Sequence, residues 1–331
     1  MIGRMYPCAH MNNLRFSSFL LSLRRPLLGL AVVVLVGCAS VPVPVPTESS
    51  PAPSTPTPTQ AAQPHLGEKR IPHIGLALGG GAARGFAHVG VIQALEEAGI
   101  RPELVAGTSA GSLVAALYAS GKNSAQLKKI ADSMEEAEIT DWMIPILNRG
   151  ALRGEALARY VNTQVSGQTI EGMKIPLGIV ATDLQSGEAM LFRRGSTGTA
   201  VRASSAVPGV FQPVKVGNRE YVDGGLVSPV PVKQAREMGA NFVIAVDIST
   251  DPEGNPSGDT FQILMQTFAI MGKSINSFGL KDANLVVRPL LMGVKSADFT
   301  SRRRSIEAGY SAMQKLIPRL RELLSQYEQG H

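Results

Sequence analysis

From Ile71 onward, short apolar runs alternate with stretches whose apolar residues recur every three or four positions. The runs IGLALGG (74–80), ELVAG (103–107), IPLGIVAT (175–182), NFVIAVDI (241–248) and NLVVRPL (284–290) predict buried strands. Helical spacing runs through FAHVGVIQALEEAG (86–99), Ser109 to Ser120, SAQLKKIADSMEEA (124–137), GEALARYVNTQV (154–165), 260–281 and a last stretch from about 302 to 325. Gly99 and Gly121 stand where the first two of these helices should stop. Such alternation predicts a mostly parallel sheet covered on both faces, in one α/β domain over 71–331.

The pattern before Ile71 is different. Residues 27–36, LLGLAVVVLV, form an apolar run of half the length a membrane span needs, behind Arg24 and Arg25. Length and basic flank fit the core of a secretory signal over 1–37. The run closes on Leu35-Val36-Gly37-Cys38, which resembles the lipobox of bacterial lipoproteins, where the cysteine is lipidated and becomes the mature N-terminus. Ala39, where an Asp would mark inner-membrane retention, points to the outer membrane of the bacterial envelope. The linker within 38–70 carries VPVPVPTESSPAPSTPTPTQAAQP (41–64), whose prolines exclude helix and sheet and favour an extended spacer. Its reach is on the order of 70 Å, at about 3.1 Å per residue.

Composition narrows the function classes. At 44% hydrophobic and 18% charged residues, the chain is globular. The formal charge of +6 invites a nucleic-acid reading, but Arg4, Arg15, Arg24 and Arg25 lie in the acid-free leader, and removing it leaves +2. No nucleic-acid partner is therefore expected. Two cysteines cannot build a disulfide scaffold, and without HExxH or clustered ligands neither a metal nor another cofactor is called for.

The strongest chemical signal is Gly107-Thr108-Ser109-Ala110-Gly111, a GxSxG between a predicted strand and a predicted helix. Such a serine sits on a strained turn, and glycines two residues either side let strand and helix approach. The five histidines offer no base for a Ser-His-Asp triad. His10 and His65 precede the domain, His73 enters the first strand, His88 lies inside the first helix, and His331 is terminal. The base should then be a carboxylate. Candidates are Asp223 in YVDGGLVSP, flanked by Gly224 and Gly225, then Asp183 and Asp247 at strand ends. Asp-Gly alone reads as a hairpin turn, but beside a serine lacking a histidine Asp223 becomes the best candidate. Its activity would persist into acid if the carboxylate kept an ordinary pKa near about 3.9, and burial would raise that value. A third element, Gly79-Gly80-Gly81-Ala82-Ala83-Arg84-Gly85, offers backbone N–H groups and a fixed charge to an anion. It lacks the Lys-Ser/Thr of a Walker loop, and GTSAG stands where a dinucleotide fold wants a ribose-binding acid, so an oxyanion hole is the better reading.

These pieces, in this order and with SSAVPGVFQPV (204–214), resemble the patatin-like phospholipase family over about 74–236. The resemblance implies a three-layer α/β/α fold with a mostly parallel central sheet, completed by strands and helices from 237–331. It implies a Ser–Asp dyad of Ser109 and Asp223 that hydrolyses acyl esters of membrane phospholipids or lysophospholipids. Gly80, Gly81 and Ala82 would form the oxyanion hole, with Arg84 in support. Here the loop reads Gly79, Gly81, Arg84, Gly85 rather than the family's GxGxxG, which leaves the donor N–H groups open by one residue. A thioesterase or protein deacylase with the same dyad, a non-catalytic lipid-binding lipoprotein and a nucleotide-binding regulator are the rival readings.

Overall fold

The computed structural model describes residues 70–141, 150–253, 258–294 and 298–330. The leader, Cys38, the proline-rich linker and His331 lie outside the described residues. The elements run β1 (Ile74–Leu78), α1 (Ala87–Glu97), β2 (Leu104–Thr108), α2 (Ala110–Ala119), α3 (Ser124–Ser133), α4 (Glu136–Ile139) and β3 (Gly150–Leu152). Next come α5 (Glu155–Gln164), β4 (Leu177–Asp183), β5 (Ala189–Phe192), α6 (Thr197–Ser204), β6 (Gly209–Phe211), β7 (Val214–Val216) and β8 (Arg219–Asp223). The chain continues through α7 (Val232–Glu237), β9 (Phe242–Val246), α8 (Thr260–Gly279), β10 (Leu285–Val287) and α9 (Arg302–Glu328).

Strands β10, β9, β1, β2 and β4 are hydrogen-bonded neighbours in that order, all parallel. Side-chain alternation along them sorts the two faces. Leu76, Leu78, Val105, Ile244 and Val246 point into the large core against α1, α2 and α9. Ala77, Ala106, Val243 and Ala245 face a thinner layer around α7. Small residues prevail there because α7 and its following loop come close: a Cβ on Gly75 would sit 2.5 Å from the Ala240 Cβ. Helices on both faces give the three-layer α/β/α fold that the motifs imply.

The predicted strands and long helices appear with shorter ends. The apolar run 74–80 stops pairing at Leu78, and the run 284–290 contributes only Leu285–Val287. The stretch 124–137 breaks after Ser133, where Met134 turns extended and its side chain enters the core. Unanticipated elements fill 189–237, and two of them decide the site. Val180 of β4 pairs with Thr108 of parallel β2, and the next residue, Ala181, pairs with Asp223 of antiparallel β8. Strand β5 pairs with β4 over Ile179–Thr182, so it occupies the opposite edge of those rungs. Strands β2 and β8 therefore run toward each other along one edge of β4 and end on adjacent rungs. Both chains must turn away there.

Helix α9 is the long cover of the large core, burying Ile306, Met313, Ile317 and Leu320. It crosses α1 at backbone contact. A Cβ on Gly90 would strike the Ile306 carbonyl, and one on Gly309 the Ala87 carbonyl. The crossing thus rests on two absent side chains. Gly309→Ala should push the helices apart and cost about 1–3 kcal/mol in urea unfolding, despite the better helix propensity of Ala. An unchanged midpoint would show that the helices can separate freely.

Candidate active site

Ser109 occupies the turn where β2 ends. Its φ of 53° and ψ of −124° are unusual for a residue with a side chain, and the opposing end of β8 leaves the chain no straight exit. The flanking glycines are required by contact: a Cβ on Gly107 would lie 2.5 Å from the Gly111 carbonyl, and one on Gly111 would strike the Leu78 carbonyl. Three hydrogen bonds hold the turn. The Ser109 N–H donates to Ser204 Oγ at 2.8 Å, Ser204 Oγ donates to the Val180 carbonyl at 2.5 Å, and Ser112 Oγ donates to the Ser109 carbonyl at 2.6 Å.

Asp223 ends β8 from the other side. Thr182 Oγ1 donates to its carbonyl at 2.8 Å, and its N–H donates to the Ala206 carbonyl at 3.0 Å. Beyond it the chain folds into a 3-10 turn, Gly224–Leu226, not into the hairpin that Asp-Gly suggests in isolation. Gly224 fits because a Cβ there would strike the Val180 carbonyl. The carboxylate is buried. Its Oδ1 accepts the Gly225 N–H at 2.7 Å, whereas Oδ2 has no partner of ordinary hydrogen-bond geometry among the described residues. Burial pushes the Asp223 pKa up to about 6, against the opposing pull of the nearby Ser109 hydroxyl and the Gly225 N–H.

The other carboxylates stand apart. Asp183 follows two rungs along β4, with Oδ1 accepting from the N–H groups of Gln185 and Ser186 and Oδ2 paired with Arg219 at 3.0 Å. Partial burial works to raise its pKa, but those N–H groups and Arg219 outweigh it and hold the value below the usual one. Asp247 follows β9 and pairs with Arg288 at 3.3 Å.

The glycine loop crosses above Ser109. The N–H of Gly79 donates to the Val246 carbonyl and that of Gly80 to the Pro229 carbonyl, both at 3.0 Å. Gly80 is thus corrected as an oxyanion donor: its single donor is engaged elsewhere. Its place is one of clearance, since a Cβ would lie 3.1 Å from the Ser109 Cβ. The N–H groups of Gly81 and Ala82 open the following 3-10 turn, Ala82–Phe86, where the first donors have no partner within the turn. Arg84 sets the direction of the second of them. Both its N–H and its Nε bond the Gly81 carbonyl, at 3.2 and 3.3 Å, and a planar peptide then turns the Ala82 N–H the opposite way. Ala82 itself holds φ at 50°. Gly85 lets this turn settle on α2, where a Cβ would meet the Ala110 Cβ at 2.8 Å. Burial lowers the Arg84 pKa to about 10, opposed by Asp247, so the guanidinium stays charged at neutral pH.

His88 is fully buried beneath this loop, its Nε2–H donating to the Gly79 carbonyl at 2.8 Å. Burial lowers its pKa to about 4, against the Gly79 bond and Asp247, so the ring is neutral at physiological pH. It supports the loop and makes no hydrogen bond to Ser109. Ser204, Thr108 and Thr182 were not singled out as bracing residues in the sequence, though Ser204 lies in SSAVPGVFQPV. Thr108 Oγ1 donates to the Ser228 carbonyl at 2.8 Å and ties the serine turn to the aspartate loop. Their signal was polarity at positions that burial makes apolar, and only the fold reveals that burial.

A cavity of about 280 Å³ opens on Ser109 and Ala82. Its walls are apolar, with Leu113, Leu117, Met134, Val210 and Phe211 among them. This is space for a hydrocarbon chain beside a serine.

Comparison with known proteins agrees. Residues 76–236 match the family model of the patatin-like phospholipases. An uncharacterised NTE family protein of Mycobacterium bovis is 38% identical over 189 residues, 57% of this chain and 52% of the relative. The human patatin-like phospholipase domain-containing protein 6 is 33% identical over 63% of this chain and 15% of its own length. Lysophospholipase NTE1 of Debaryomyces hansenii is 30% identical over 56% and 12%. The chain thus spans about half the length of the first of these relatives and much less of the others. Among solved structures, VipD of Legionella pneumophila shares the fold, with a TM-score of 0.53 at 16% identity over 76% of this chain and 67% of that one.

The buried Asp223 carries a stability signature. With a folded pKa raised to about 6 from an ordinary 3.8, its favourable contribution is present below pH 4 and is lost as pH rises through 6. His88 acts in the opposite sense, losing stability as pH falls from 6.5 toward 4, but is shared by wild type and variant. Asp223→Asn keeps an acceptor for Gly225 and removes the buried charge. We expect it to be more stable than wild type at pH 8, by on the order of 2–3 kcal/mol at about 1.4 kcal/mol per pKa unit. The difference should vanish by pH 4, as read from paired urea titrations.

Proposed function

Because residues 76–236 belong to the patatin-like phospholipase family, we propose that the chain is a serine acyl hydrolase of phospholipid or lysophospholipid esters. The observation that carries this reading is the meeting of the buried Asp223 with Ser109, which lines an apolar cavity. Ser109 Oγ attacks the ester carbonyl while Asp223 Oδ2 takes its proton, and the oxygen of the tetrahedral intermediate faces the N–H groups of Ala82 and Gly81. Collapse expels the alcohol, which recovers the proton from Asp223. Water then repeats the attack on the acyl-serine while Asp223 accepts its proton, and collapse frees the fatty acid as Asp223 returns that proton to Ser109 Oγ. A base with a pKa near the operating pH suits both halves of this cycle. The small cavity and the lysophospholipase among the relatives favour a substrate that presents one acyl chain at a time.

The test is hydrolysis of envelope phospholipids and lysophospholipids followed by mass spectrometry. Ser109→Ala should abolish fatty-acid release, and Asp223→Asn should lower kcat about 10²–10⁴-fold. Residues that act as one unit are not additive, so the double variant should be scarcely worse than Ser109→Ala. Below a pH of about 6, kcat/KM should fall as Asp223 takes up its proton. Asp183→Asn should retain turnover. If it loses activity while folded Asp223→Asn keeps it, the base is misassigned, and thioester substrates cleaved in preference to oxygen esters would favour the thioesterase reading.

We further propose that Cys38 carries the lipid that tethers this domain to the periplasmic side of the outer membrane, supported by the LVGC run and its basic, apolar approach. Two or more acyl chains hold firmly because each buried methylene contributes about 0.8 kcal/mol. Cys38→Ser should abolish metabolic lipid labelling and block processing. An unlabelled wild type would refute the anchor.

A further inference from the structure

Helix α8 presents an apolar stripe to solvent. Ile263, Leu264, Ile270, Met271 and Phe278 fall on one side of it and are 37% to 68% exposed. Thr267 shares that side by helical spacing, and its hydroxyl is turned back onto the Ile263 carbonyl at 2.9 Å. From Thr260 to Gly279 the sequence carries a single charge, Lys273, paired with Asp251 at 3.1 Å. Among the described residues no helix is long and apolar enough to cross a membrane. Helix α8 has instead a wet side and an inner side.

Its inner side locates it. Gly272 faces Pro229, and Asn276 Nδ2 donates to Ser249 Oγ at 2.9 Å. Leu264 lies over Gly209, where a Cβ would come within 3.2 Å of its Cδ2, and Val210 and Phe211 of the same strand line the Ser109 cavity. The loop after Asp223 and the end of β9 are on the edge of the sheet where β2 delivers Ser109, a lining residue of that cavity. Leu290 and Met292, 74% and 72% exposed, follow β10 at that same edge. The far end of the stripe has Lys281 Nζ above the Phe278 ring at 5.2 Å, an aromatic with a cation beside it, as suits the boundary between hydrocarbon and headgroups.

We propose that the outer face of α8 is a docking surface for a phospholipid bilayer, separate from the Cys38 tether, which seats the mouth of the Ser109 cavity on the membrane. The inference rests on the lipid-hydrolase reading for its purpose and on the position of α8 for its place. The tether limits how far the domain can drift, and α8 sets which side meets the lipid. A substrate chain then passes from the bilayer past Leu264 and Val210 into the cavity without crossing water.

The test uses the full chain with Cys8→Ser and Cys38→Ser and an environment-sensitive fluorophore on Met271→Cys. Vesicles of phosphatidylcholine and phosphatidylglycerol should shift this probe to the blue, and should leave the same probe on Arg101→Cys, at the opposite edge of the sheet, unchanged. In the otherwise wild-type chain, Ile270→Glu with Phe278→Glu should lower hydrolysis of vesicle phospholipid at least about tenfold and leave a water-soluble butyrate ester within about twofold. An unshifted Met271 probe, or equal shifts at both positions, overturns the proposal. So does a dimer in light scattering that the double variant dissolves while vesicles leave the Met271 probe unshifted, because the stripe would then pair two copies. If the Met271 probe docks alone but no ester of either kind is hydrolysed, the docking surface stands and the hydrolase reading fails.

Discussion

Everything at the site depends on two strands running at each other along one edge of β4. Strand β2 ends opposite Val180 and β8 ends opposite Ala181, so neither chain can continue. The steric stop forces Ser109 into positive φ and turns the backbone after Asp223 into a 3-10 helix. The hydroxyl and the carboxylate are delivered to one point from elements that share a single partner strand. The crossing hydrogen bonds from Thr108, Thr182 and Ser204 are short braces on this junction, and those of Thr182 and Ser204 satisfy the Asp223 carbonyl and the Ser109 N–H that the broken ladders leave behind.

The electrostatics follow from the same burial. Asp223 lies on the inner side of the junction, where only the Gly225 N–H and the nearby serine favour its charge, so it becomes a stronger base than an exposed aspartate. The cost is borne by the fold at neutral pH, a local conflict that recurs where function is built. His88 is treated in the reverse way. It is kept neutral under the glycine loop and fixes the Gly79 carbonyl, while charged Arg84 fixes the next carbonyl but one. These two anchors, on the Gly79 and Gly81 carbonyls, leave the loop little freedom, and the second fixes the direction of the Ala82 N–H.

The edge that holds Ser109 and Asp223 is also the greasy edge. The cavity walls are mostly apolar, and α8 carries the same character outward beside β6. A parallel sheet gathers its functional loops at the carboxyl ends of its strands. Here the crossover from β9 to β10 is used to lay a helix across that gathering, with Asn276 and Gly272 as its inward contacts.

The sequence by itself determined a good deal. Short β-prone runs between helical repeats can be buried only in a parallel sheet, so the layers were legible. GTSAG, the glycine loop and YVDGG were legible because strained turns and close approaches admit few residue types. The scarcity of histidine in the domain pointed to a carboxylate base. What the chain alone could not convey was pairing. The short strands β3 and β5–β8 carry too few residues for a period to emerge, and their edges are defined by partners far away in sequence. Gly80 looked like a donor because every N–H in a glycine loop looks available until Pro229 is seen beneath it. Asp183 and Asp223 are both strand-end carboxylates in sequence; the register on β4 gives one to Arg219 and the other to Ser109. Residue type sets which chemistry is possible, and tertiary structure decides which groups are left unpaired to perform it.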